Sequence, residues 1–229
     1  MIKFKLNGVD FQFSKEDNQK ISNFDWFVDY LCYGDWEKFT FEIFRKCANP
    51  DKIALDIGAW IGATSIWLSK NFSEVYSFEP DPVAFEALRK NIAANQCKNV
   101  ITLDKALYHS KAKLGFGTNP EFEHEGLGAS TSQIKESGSE LIVDTTTFLE
   151  LSSLIPFDQV GFVKVDIEGA EEFIIDDLFK FASLNKWDVL IEIHPQFMSE
   201  EGFKNFQSTI LKYNPETIEM GNQKFFRFL

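Results

Sequence analysis

The stretch Ile53-Ala54-Leu55-Asp56-Ile57-Gly58-Ala59-Trp60-Ile61-Gly62 decides the fold, because a short apolar run ends in a carboxylate and a glycine, with a second glycine four residues on. A run of that length without polar alternation is the pattern of a strand buried on both faces, and the glycines mark a tight turn into a helix. A helix over Thr64 to Lys70 follows, then a strand from Glu74 to Phe78, a helix from about Asp81 to Asn95 and a strand over Val100 to Leu103. Pro82 falls in the first turn of that second helix, where its missing N–H costs nothing. Strand, helix, strand, helix, strand is one half of a doubly wound α/β sheet. The alternation resumes with a strand over Gly161 to Val165, a helix from Ala170 to Phe181, a strand over Val189 to Ile193, a helix from about Ser199 to Tyr213 and a closing strand near Lys224 to Leu229.

Working outward, Met1 to Phe13 alternates apolar and polar residues and reads as a strand, while Ile21 to Ala48 spaces its aromatics as one or two amphipathic helices would, an N-terminal helical cap. Between His109 and Glu140 lies a long irregular insertion rich in Gly, Ser, Thr and Asn, expected to be a hairpin or a substrate-facing loop. The expectation is a single domain over residues 1–229, with strand and cap at 1–50 and the α/β core at 51–229.

Composition narrows the partners. With 23 Lys and Arg against 35 Asp and Glu, the net charge of -12 opposes the counterion release that drives nucleic-acid binding, so neither DNA nor RNA is expected as a partner. The apolar runs fall far short of the ~20 residues a membrane span requires, and the N-terminus has no secretory pattern. A cytoplasmic protein with no membrane span is therefore expected. Cys32, Cys47 and Cys97 are odd in number and scattered, which suits reduced packing residues better than a zinc site or a disulfide framework.

The ligand residues follow from the turn. Gly58, with Ala59 beside it, lets a backbone approach a ligand closely, and Gly62 lets helix and strand pack tightly. The third glycine of a dinucleotide fingerprint is missing, which weighs against a nicotinamide oxidoreductase. Asp56, if it faces the loop, makes the site negative and suited to a sulfonium cation and an amino group. Glu79 stands about 20 residues past Gly58, the offset at which an acid accepts hydrogen bonds from ribose hydroxyls. The plainer reading of Glu79-Pro80-Asp81 is a helix cap with Asp81 at the N-cap, and both readings are compatible. Asp104-Lys105-Ala106 ends the third strand where an adenine edge would lie, or is an ordinary strand-to-loop junction.

The run Phe162-Val163-Lys164-Val165-Asp166-Ile167-Glu168-Gly169-Ala170-Glu171 completes a pattern. With Asp56 to Gly62, Phe78-Glu79-Pro80, Trp36-Glu37 upstream and Glu192-Ile193-His194-Pro195 downstream, the chain resembles the FkbM family of methyltransferases over roughly residues 34 to 196. The resemblance implies a class I methyltransferase fold, Rossmann-like, with a mostly parallel seven-stranded sheet. It also implies an S-adenosyl-L-methionine donor and, usually, O-methylation of a hydroxyl on a sugar or a secondary metabolite. One departure is Thr146-Thr147-Phe148-Leu149, where the family has a leucine-aspartate pair.

Methyl transfer from a sulfonium is an in-line displacement, so few catalytic groups are needed. His194, whose ordinary pKa is near ~6.5, is the expected base at the carboxyl end of the fifth strand, with Asp166 and Glu168 at the same edge. Asp166 also counts among the donor-binding residues, and Glu171 reads as a first-turn carboxylate. No metal site is assigned; a divalent ion on Asp166, Glu192 and His194 is the alternative mechanism. Acceptor contacts are expected from Trp36, Glu37, Ser130, Thr131, Ser132, Glu192 and His194. A nitrogen or a phosphorylated group as acceptor, and a non-catalytic nucleotide-binding module on the same scaffold, stay open alternatives.

Overall fold

In the computed structural model, which describes residues 1–33, 36–118, 128–135 and 141–229, the apolar run is the central strand of the sheet. The chain opens with β1 (Ile2–Leu6) and β2 (Val9–Phe13), then α1 (Phe24–Tyr33) and α2 (Lys38–Cys47). The core follows as β3 (Asn49–Ile57), α3 (Ala63–Ser69), β4 (Phe72–Phe78), α4 (Pro82–Ala94) and β5 (Val100–Leu103). Next come β6 (Ala106–Leu107), β7 (Lys113–Thr118), β8 (Ser132–Lys135), β9 (Leu141–Thr146) and α5 (Phe148–Leu151). The last third holds β10 (Val160–Val165), α6 (Glu171–Asn185), β11 (Asp188–Glu192), α7 (Glu200–Tyr213), β12 (Glu216–Met220) and β13 (Gln223–Arg227).

Seven strands form the main sheet in the order β12-β13-β11-β10-β3-β4-β5. β3, β4, β5, β10 and β11 run parallel, and β13 is inserted antiparallel between β11 and β12. The chain leaves β3 toward β4 on one side and returns as β10 on the other, which makes the carboxyl end of β3 the topological switch point where ligands bind in such sheets.

Alternation along the buried strands feeds two cores. Ala54 of β3, Phe162 of β10 and Leu190 of β11 face the hairpin and α1 to α3, where Phe41, Phe44 and Trp67 pack edge to face. Leu55, Val163 and Ile191 face α5, α6 and α7, with Trp187 buried and its indole N–H donated to the Phe157 carbonyl at 3.0 Å. Such aromatic pairs add about 0.5–1.5 kcal/mol each beyond the area they bury.

Three expectations change. Met1 to Phe13 is a hairpin rather than one strand: Asn7 and Gly8 both take positive φ, the conformation of a two-residue turn, and this Asn-Gly pair is the signal that reading passed over. The closing strand is likewise a hairpin, β12 and β13. The insertion is not irregular throughout, since β7 pairs antiparallel with β8 and β9, and β9 pairs with β6, in a second, four-stranded sheet. Positions 119–127 and 136–140 of it lie outside the described residues. At the departure from the family pattern, Thr147 is the N-cap of α5 and accepts from the Glu150 N–H at 3.1 Å, so those residues serve a helix start. Among the described residues no helix is long and apolar enough to cross a membrane. The three cysteines are unpaired with one another.

Candidate active site

The turn after β3 folds back onto the end of β4. The N–H groups of Gly58 and Ala59 both donate to the Phe78 carbonyl, at 3.1 and 2.9 Å. The next N–H, of Trp60, donates to Glu79 Oε2 at 2.8 Å, with Trp60 itself held at φ +45°. Glu79 Oε1 accepts from the Asp81 N–H at 2.8 Å. Asp81 caps α4 through Oδ1, bonded by the N–H groups of Val83 and Ala84, and its Oδ2 accepts from the Gly128 N–H at 2.8 Å. The cap reading of Glu79-Pro80-Asp81 therefore holds for Asp81, and it leaves Glu79 lining the cavity. The Trp60 indole N–H donates to the Gly128 carbonyl at 2.9 Å, which ties the insertion to the turn.

A cavity of about 320 Å³ opens at this switch point, within the size range of small-ligand sites. One end is walled by Gly58, Ala59, Trp60, Glu79, Pro80, Lys105 and Ala106, with Leu107, Phe116 and Ile134 from the second sheet. Burial pushes the Glu79 carboxyl up to about 8, and the nearby Asp81 charge adds to it, against its two backbone N–H bonds and the Lys164 charge. A buried carboxylate beside apolar walls fits the ribose and adenine of an adenosyl donor.

Several expected ligand residues sit elsewhere. Asp56 is fully buried and faces α3, accepting from Thr64 Oγ1 at 2.8 Å and Ser65 Oγ at 2.5 Å, with its other oxygen 3.6 Å from Lys164 Nζ. It anchors the turn from beneath and does not line the cavity. Gly62 is a packing glycine at φ +92°, where a Cβ would meet Leu88 at 2.6 Å. Gly58 makes its close approach to protein: a Cβ there would stand 1.8 Å from the Asp166 carbonyl oxygen. Asp104 is exposed at the strand end, and of the insertion residues Ser130 and Ser132 line the cavity while Thr131 does not.

The other end of the cavity is acidic. His194 donates or accepts through Nδ1 at 3.3 Å from Glu171 Oε1, and its Nε2 lies 3.6 Å from Glu168 Oε2 and 3.9 Å from Asp166 Oδ1. Glu171, itself buried, also accepts from the N–H groups of Ile167 and Gly169 and so shapes the loop that carries Asp166 and Glu168. Burial alone would lower the His194 pKa, but the bond to Glu171 and the charges of Glu168, Glu171 and Asp166 outweigh it and raise it to about 9. His194 is therefore an imidazolium at neutral pH, which corrects the expectation of a free base titrating near its ordinary value. Burial raises Glu168 to about 8 and Glu192 to about 7, in both cases reinforced by the Asp166 charge. Lys164 stays charged, because the surrounding carboxylates outweigh the cost of its burial; it donates to the Gly58 carbonyl at 2.9 Å.

Two features escaped the sequence reading. Gln223 reaches in from β13 and donates through Nε2 to Glu37 at 2.6 Å and to Glu192 at 3.0 Å, holding two carboxylates from opposite ends of the chain side by side. Trp26 and Tyr30 stack at 5.3 Å on the exposed face of α1 and line the cavity mouth near Trp36. Their spacing of one helical turn was visible, but it was absorbed into the apolar face of the cap.

A sequence model described as the methyltransferase FkbM domain matches residues 56–222. No curated protein matches the chain significantly. Among solved structures, methyltransferase FkbM from Methylobacillus flagellatus is 15% identical with a TM-score of 0.50 over 93% of this chain, which spans 57% of that protein's length. A putative methyltransferase from Streptococcus mutans, in complex with SAH, is 10% identical with a TM-score of 0.46, over 83% of this chain and 97% of that one. Precorrin-6y C5,15-methyltransferase from Geobacter metallireducens is 14% identical with a TM-score of 0.49, over 95% and 91%. With the motifs from Asp56 to Pro195 inside the matched segment, the chain belongs to the FkbM family, whose domain is that of an S-adenosylmethionine-dependent methyltransferase.

Proposed function

We propose that the chain works as one domain, residues 1–50 capping the core of 51–229, and that it methylates a hydroxyl of a small uncharged acceptor, a sugar or sugar-like metabolite. The observation that carries this is the two-ended cavity: Glu79 and the β3 turn at one end, and at the other carboxylates under an aromatic rim. Bound S-adenosylmethionine supplies an electrophilic methyl group on a cationic sulfur. Glu79 takes the ribose hydroxyls, with Pro80, Lys105 and Ala106 along the base. At the other end Glu37 and Glu192 accept hydrogen bonds from acceptor hydroxyls, and the exposed faces of Trp26 and Tyr30 stack on a ring. Glu192 takes the hydroxyl proton as the new O–CH3 bond forms, the S–CH3 bond breaks and its electron pair stays on sulfur. His194 and Lys164 keep the cluster from accumulating unpaired negative charge.

The same wall argues against a phosphorylated acceptor, because the carboxylates of Glu37 and Asp166 would repel it at short range. The test is product formation. Purified protein with S-adenosylmethionine is offered a panel of neutral glycosides, their phosphorylated counterparts and amines, and S-adenosylhomocysteine and methylated product are followed by mass spectrometry. O-methyl product from neutral hydroxylated compounds supports the proposal. Turnover confined to phosphorylated compounds or amines would sink the acceptor reading, and donor binding with no turnover on any acceptor class would favour the non-catalytic module.

A further inference from the structure

We propose that Asp166, Glu168 and His194 form a binding site for one divalent cation of the Mn²⁺ or Mg²⁺ class on the acceptor side of the cavity. One ligand atom from each of the three lies within 4.8 Å of the others, and all three residues line the open cavity, which gives an ion both a place and a way in. The donor set is mixed. Two carboxylate oxygens suit a hard cation, and the imidazole Nε2, whose proton the cation must displace on binding, shifts the preference from Ca²⁺ toward Mn²⁺.

The orientation of the imidazole is the stronger argument. Nδ1 faces the buried Glu171 carboxylate at 3.3 Å, which leaves Nε2 as the nitrogen turned toward Asp166 and Glu168. A carboxylate behind one ring nitrogen and oxygen donors in front of the other is the arrangement that supports a metal-ligating histidine. Glu171 is fixed in turn by the backbone N–H groups of Ile167 and Gly169, so the support does not depend on an ion being present. Glu192, expected from sequence spacing as the third ligand, is held by Gln223 and stands outside this set.

The use of such an ion rests on the methyl-transfer reading above: a hydroxyl bound to it is more acidic, and its proton still passes to Glu192. The site itself does not rest on that reading, and the experiment separates the two. Chelator-treated protein is titrated with Mn²⁺ and free ion is read by electron paramagnetic resonance, while S-adenosylmethionine binding is measured on the same preparation. Expected are one saturable Mn²⁺ per chain, loss of it in His194→Ala and in Glu168→Gln, and roughly 10–100-fold weakening in Glu171→Gln. Each variant is first shown to bind S-adenosylmethionine, so that misfolding is not read as lost ligation; Glu168→Gln, which keeps the side chain's size and shape, is the variant most certain to fold. No saturable Mn²⁺ in protein that binds the donor, or Mn²⁺ binding that survives both His194→Ala and Glu168→Gln, overturns the site. Mn²⁺ binding without donor binding leaves the site standing and sinks the methyltransferase reading instead.

Discussion

The two ends of the cavity are built by different means. At the proposed donor end, contiguous residues do the work through backbone: three successive N–H groups, of Gly58, Ala59 and Trp60, are bonded to Phe78 and Glu79 at the end of the neighbouring strand. At the proposed acceptor end the groups come from α2's start, the β10 and β11 termini and β13, and side chains meet side chains. A backbone-built end is fixed by turn geometry and tolerates little variation. A side-chain-built end can change its ligand by single substitutions without disturbing the fold, which suits a scaffold with a constant donor and a variable acceptor.

The sharpest way to break this division is at its seam. Gly58 belongs to the donor turn, yet its Cα faces the Asp166 carbonyl, and its φ of +81° disfavours any side chain. Gly58→Ala is expected to abolish donor binding and turnover together. The left-handed backbone alone costs about 1–3 kcal/mol of stability, before the clash at 1.8 Å is relieved by moving the β10 loop. Thermal denaturation and donor titration check this. A variant with unchanged donor affinity would mean the two ends are not mechanically joined there.

Glu192→Gln tests the acceptor end alone. Loss of a positioned proton acceptor is expected to lower kcat by roughly 10²–10⁴-fold. Donor affinity should be unchanged, because among the described residues the side-chain hydrogen bonds of Glu192 and Gln223 run to each other, Glu37 and Thr40 and not to the donor turn. Steady-state kinetics at saturating donor read the first quantity and calorimetry the second. If both fall, the ends are coupled through the acidic cluster.

The division also explains what was legible in the sequence. The sheet, its helices and the donor turn could be read because each depends on near neighbours: an apolar run, a glycine, a carboxylate at a strand end. His194, Asp166 and Glu168 were placed at one edge by strand order, but the charge on His194 was not readable. His194 is held charged by Glu171 and Glu168, residues more than 20 positions away whose approach depends on the loop after β10. Asp56 was misread for the same reason: its position after an apolar run is shared by cavity-facing and helix-facing acids, and only Thr64, Ser65 and Lys164 decide between them.

Glu79 gives the next largest effect and a pH signature confined to the donor end. Replacing it by glutamine removes charge-assisted bonds to the donor worth about 1.5–3 kcal/mol, roughly 10–150-fold in Kd. Its carboxyl is pushed up to about 8 by burial and must ionise to accept both ribose hydroxyls, so donor binding releases a proton. Affinity should rise by up to about tenfold per pH unit below 8 and level off above it. The stability of the donor-free protein carries the opposite sign: a raised carboxyl favours folding fully below about 4.5, and this contribution is lost as pH rises to about 8. Both slopes should flatten in Glu79→Gln, read by calorimetry and by thermal denaturation across pH.

The smallest effect belongs to the rim, where the contrast between the ends is sharpest. Trp26 is 65% exposed, and its indole packs mainly on Tyr30, one turn away on the same helix. The buried aromatics of α1, Phe24 and Phe27, sit on the opposite face and hold the cap to the core. Trp26→Ala should therefore leave thermal stability and donor affinity where they are. Stacking on a ring is worth about 0.5–1.5 kcal/mol, so acceptor KM should rise roughly 2–10-fold with little change in kcat. A fall in stability instead would make Trp26 part of the cap's packing. An unchanged KM for every ring-bearing acceptor would remove the aromatic rim from the acceptor site and leave recognition to Glu37, Glu192 and Gln223.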